Sequence, residues 1–160
     1  MVEYVSRPMN DISGRTIFAE DVRIEIGNQF SIIGVITGGV GLDSFPNTLT
    51  KLALIVEYQQ LDHVEAKDVR VAAFMPGADP DAPFWEMQYP AESWESIGPP
   101  IVDANPSPYP FPGVRRVIQV VSLANVEVPR PGVIKVRAFR DGEVISLGGL
   151  EVRSVESAAQ

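Results

Sequence analysis

The strongest constraint on this chain is a pair of alternating runs, Thr16 to Ile26 and Phe30 to Ile36, joined at Gly27-Asn28. In the first run Phe18, Val22, Ile24 and Ile26 share one parity and Asp21, Arg23 and Glu25 the other, the pattern of a strand with one wet face. The second run groups Phe30, Ile32, Gly34 and Ile36. Together they read as a β-hairpin. A two-residue turn would set Glu25 against Phe30 and Arg23 against Ile32. A three-residue loop, Gly27-Asn28-Gln29, or a bulge is therefore expected, pairing Ile26 with Phe30 and Ile24 with Ile32. A short helix over residues 19–26 is the rival reading, because Phe18, Val22 and Ile26 are four apart. The β-branched residues and the alternation beyond the glycine favour the strand.

Further strands follow. Lys51 to Gln60 puts Leu52, Leu54, Val56 and Tyr58 on one face and Ala53 and Ile55 on the other, as a central strand does. Asp68 to Met75 is the next. Arg115 to Leu123 is apolar on both parities and is expected to be buried. In the closing run Asp141-Gly142 forms a two-residue turn that pairs Ala138 with Ile145, Val136 with Leu147, Phe139 with Val144 and Arg140 with Glu143. Seven or eight strands without a long helical period predict an all-β chain, an antiparallel β-sandwich of immunoglobulin-like or related topology.

The division expected is a loosely held arm over 1–15, one β-sandwich domain over 16–153 and a flexible tail over 154–160. Within the domain, residues 76–113 form a Pro-rich excursion. It holds ten of the fourteen prolines, six acidic residues and no Lys or Arg. So long a segment needs some order of its own, and Phe84 to Tyr89 is read as an edge strand and Ala91 to Ile97 as a helical turn.

The stretch Ile17 to Val35, followed by Phe45-Pro-Asn-Thr-Leu-Thr-Lys-Leu-Ala-Leu54, resembles a bacterial family of β-rich proteins with no assigned activity, and the closing hairpin from Pro131 echoes it. The resemblance implies architecture and carries no functional residue across.

Composition narrows the chemistry. A net charge of −8 disfavours phosphate-rich partners, so neither nucleic acid nor an anionic membrane is expected. With no cysteine and a single histidine, His63, nucleophilic catalysis has little to work with, and no catalytic residue is assigned. Asp62, His63, Glu65 and Asp68 could gather round a cation, and Asp79 and Asp81 resemble half of a calcium loop. A polar connection and a turn are the better readings, so no metal or cofactor is expected. The glycines of 34–41 are not followed by the Gly-Lys-Ser/Thr of a phosphate loop. The first fifteen residues lack the continuous apolar segment of a secretory signal, and a cytoplasmic location is expected.

Aromatics are the remaining signal. Six of the thirteen, including both tryptophans, fall in the excursion. Trp85, Tyr89, Trp94, Tyr109 and Phe111 are the candidate binding residues, either anchors for another protein or for self-association, or platforms for a small ligand or carbohydrate. The competing explanation is that they pin the excursion to the core. The expectation is a non-enzymatic interaction or assembly module, with one tryptophan buried and the other exposed.

Overall fold

The structure is a computed structural model that describes residues 11–27, 29–97 and 113–155. Among these residues the chain forms nine strands and one short helix. They are β1 (Ile12–Glu25), β2 (Gln29–Val35), β3 (Val40–Leu42), β4 (Asn47–Leu61), β5 (Val69–Phe74), β6 (Trp85–Tyr89), α1 (Ala91–Ser96), β7 (Val114–Val128), β8 (Gly132–Arg140) and β9 (Glu143–Ser154). The strands make two sheets, one ordered β2-β1-β4-β7 and the other β3-β9-β8-β5-β6.

One apolar core takes side chains from both sheets. Leu52, Leu54, Val56 and Tyr58 of β4 meet Val71 of β5, Ile134 and Val136 of β8 and Leu150 of β9 in a single buried cluster. The alternation in β4 thus has the consequence expected of it. Its even residues fill the shared core, while Ala53 and Ile55 join Ala19 in a second, smaller cluster. Flanked by β1 and β7, β4 is a central strand.

Several expectations need correction. The strand count exceeds seven or eight because Val40–Leu42, read as part of a glycine turn, is a strand that pairs with β9. That pairing is parallel, so the sheets are not wholly antiparallel. Residues 12–15, expected in a loose arm, open β1 and pair with Glu57–Gln60 of β4. At the other end Ser154 closes β9, and the Val155 amide donates to the Leu42 carbonyl at 2.9 Å. Residues 1–10 and 156–160 lie outside the described residues. Finally β7, apolar on both parities, is an edge strand rather than a buried one, because its only strand partner among the described residues is β4.

Register shows where alternation suffices. In the last hairpin the pairs Ala138–Ile145, Phe139–Val144 and Arg140–Glu143 form as expected round a turn in which Asp141 and Gly142 have φ of 51° and 80°. Further out Val136 faces Gly148 instead of Leu147, because the ladder slips between Val136 and Arg137. The slip leaves Leu147 as the extra residue of a β-bulge, its side chain buried in the core. In the first hairpin Ile24 faces Phe30 and Val22 faces Ile32, two residues away from the expected partners. Parity survives the shift, which is why alternation alone could not separate the two registers.

Candidate interaction surface

β1 changes neighbours part-way along its length. Its ladder with β4 runs from Ile12 to Ala19, and its ladder with β2 from Ala19 to Glu25. Beyond Ala19 the β1–β2 hairpin is therefore a two-stranded ribbon, with no third strand beside it among the described residues. Lys51 of β4 ties its base, donating to the Asp21 carboxylate at 2.9 Å and holding that carboxyl below its ordinary range.

The apolar stripe continues along the ribbon after the core has ended. Ile24 is 85% exposed, Ile26 98% and Phe30 40%, with Val35 near the base also exposed. Ile24 and Phe30 face each other across the ladder. Covering side chains of this size is worth roughly 1.5–3 kcal/mol each when complete. Clustered exposed apolar residues, unlike scattered ones, mark interaction surfaces.

A cleft of about 760 Å³ opens at the base of the ribbon, between Glu20, the segment Gly34–Gly41 and Leu49–Lys51 of β4. The glycines here are matters of space. Gly34 lies at φ 65°, and a Cβ on it would come within 2.7 Å of the Glu20 carboxylate. Gly39, at φ 101°, would bring one within 2.8 Å of the Glu151 carbonyl oxygen. They let the chain pass closely from β2 in one sheet to β3 in the other.

The aromatic excursion is built differently. Its expected edge strand and helical turn both form, as β6 beside β5 and as α1. The N-cap of α1 is Pro90, which has no side-chain cap, and the Asp68 carboxylate instead accepts the Ala91 amide at 2.9 Å. The helix drives Trp94 into the core, where it is 0% exposed, with ring centroids 5.2 Å from Tyr58 and 6.1 Å from Tyr89. Burial pushes the Tyr58 phenol up to about 12, Arg140 opposing and Glu143 reinforcing the shift. Burial also raises Tyr89. Trp85 is half-buried against the same core. Of the five candidate binding residues, then, Trp94 is a core residue, Trp85 and Tyr89 flank it, and Tyr109 and Phe111 lie outside the described residues.

The acidic groups have structural uses. Asp79 accepts the Asp81 amide at 2.9 Å in a turn, and His63 is exposed, 3.6 Å from Asp11. Lys67 pairs with Asp141, which raises the amine and lowers the carboxyl. Among the described residues no three His, Asp or Glu side chains converge as metal ligands do, and no helix is long and apolar enough to cross a membrane.

The ribbon is the surface that sequence reading missed, and a signal for it exists. Residues 26–42 form a run of seventeen without a charged side chain, in a chain that is 21% charged. No protein-family model, curated protein or solved structure matches the chain.

Proposed function

We propose that this chain is a non-enzymatic protein-interaction or assembly module, a β-sandwich of immunoglobulin-like or related kind that engages its partner through the β1–β2 ribbon. The observation that carries the reading is the continuation of an apolar stripe, Ile24, Ile26 and Phe30, onto a two-stranded extension that has left the core. A scaffold needs no such extension, and exposed apolar side chains on it carry a solubility cost that binding offsets.

The reading is tested by capture from a host lysate with three immobilised proteins: wild type, the ribbon variant Ile24→Lys/Ile26→Lys/Phe30→Lys, and Trp85→Ala. Binding retained by Trp85→Ala and lost by the ribbon variant is the expected result. Binding lost by Trp85→Ala and retained by the ribbon variant moves the surface to the excursion and overturns the reading.

A further inference from the structure

Resting on that reading, we infer that the ribbon's partner is a second copy of this chain, added strand to strand along the free edge of β2. Two ribbons related by a twofold axis then form one antiparallel four-stranded sheet.

The argument begins with the edges. An exposed edge strand is a template for further pairing, and proteins that stay monomeric guard such edges with charge, proline or shortness. Among the described residues the two sheets have four edge strands, and three of them are guarded in these ways. β7 carries Arg115, Arg116 and Glu127, β6 carries Glu86 between Pro83 and Pro90, and β3 is three residues long. β2, with the sequence Gln29-Phe-Ser-Ile-Ile-Gly-Val35, has no charge and no proline, and its one strand neighbour among the described residues is β1.

Charge then selects the occupant. Each copy carries a net charge of −8, so most approaches of one copy to another are repulsive. The run 26–42 is the longest stretch free of charge, and β2 lies wholly within it. When this edge pairs antiparallel with itself about its middle, β2 residues face β2 residues. Centred on Ile32, Phe30 faces Gly34 and Ser31 faces Ile33, and no charge faces another along the strand. A basic or acidic strand would find no counter-charge along this edge. The uncharged strand that fits is supplied by the chain itself.

Stability points the same way. A two-stranded hairpin on its own is marginal in water, whereas further strands with a shared apolar face support one another. Twofold pairing extends the Ile24–Phe30 stripe of one ribbon into that of the next.

Because the chain has no cysteine, single substitutions report contacts cleanly. The experiment combines sedimentation of the full chain over a concentration series with oxidation of Gln29→Cys, Phe30→Cys, Ser31→Cys, Ile32→Cys, Ile33→Cys and Val35→Cys. A concentration-dependent dimer is expected, with covalent dimer greatest at one of these positions and falling away on either side. Ser31→Lys should weaken the dimer by about tenfold or more. The Ser31 hydroxyl donates to Glu25 at 3.0 Å and Arg23 lies opposite it in the ladder, so a lysine there meets one charge of each sign, and an unchanged circular dichroism spectrum and melting temperature show that the fold is kept. A chain that stays monomeric throughout overturns the inference, as does a dimer indifferent to Ser31→Lys or one that no β2 cysteine cross-links. If the wild-type chain is monomeric yet captures a lysate protein that the triple ribbon variant does not, self-pairing fails while the interaction reading stands.

Discussion

The excursion and the ribbon are a study in opposites. The excursion is rich in aromatics and carboxylates, the composition of a binding surface, yet its α1 buries Trp94 against Tyr58 and Tyr89. The ribbon has the composition of an ordinary core strand, yet it extends Ile24 and Ile26 into solvent. Composition describes what a segment can bury. Whether it does so depends on whether a second layer lies opposite, and that is a property of topology.

The largest effect that would break this contrast is at Trp94. Trp94→Ala should cost about 3–5 kcal/mol of stability, the range for emptying a large aromatic site, read as a fall in the denaturation midpoint. Trp94→Phe should cost much less, since the indole Nε1 is buried without a hydrogen-bond partner among the described residues and phenylalanine removes that burden. An unperturbed Trp94→Ala protein would mean the excursion is not part of the core.

Alkaline titration sharpens the comparison. The Tyr58 phenol is pushed from 10 up to about 12 because its ionised form is disfavoured in the folded state. Its contribution to stability is complete below pH 10 and is lost as pH rises from 10 towards 12, since the unfolded chain releases the proton first. Loosening should be seen first in tryptophan fluorescence, while cross-linking of the ribbon is unchanged. Fluorescence that follows no such transition would argue against the Tyr58–Trp94 contact.

The ribbon should show the smallest responses in stability. Ile26→Ala is expected to change it by less than about 0.5 kcal/mol, as surface substitutions do, and a loss of several kcal/mol would show the tip to be packed. Smaller still is the tie at the ribbon's base. Lys51 lowers the Asp21 carboxyl, so this tie is intact above the ordinary carboxylate value of 3.8 and is lost as pH falls through the lowered folded value. An acid shift in amide signals near Asp21 should vanish in Lys51→Met.

How far the sequence could be read follows from what alternation encodes. It gives facing, so the two sides of β4, the turn at Asp141-Gly142 and the short strand β6 were legible. It gives no account of neighbours. The change of partner at Ala19 leaves no mark on parity, and neither does the two-residue shift between Ile24 and Phe30. The bulge at Leu147 does change parity, but Ser146-Leu-Gly-Gly149 reads equally well as regular strand. That one tryptophan would be buried was legible, but not which one: Trp94 sits on a helix of six residues whose first amide is accepted by Asp68, 26 positions before Trp94, and alternation carries no sign of that contact. For the candidate site the legible clue lay in an absence, the uncharged run 26–42, which a search for chemical groups passes over.

Because β1 changes neighbours at Ala19, its amides belong to two different opening reactions. Those paired with β4 are released only when the interior of the sheet separates, an event close in cost to global unfolding. Those from Asp21 to Glu25 are released when a two-stranded ladder parts, which costs far less. Hydrogen exchange along this one strand should therefore fall into two kinetic classes with a step at Ala19, so that a strand continuous in space is divided in time.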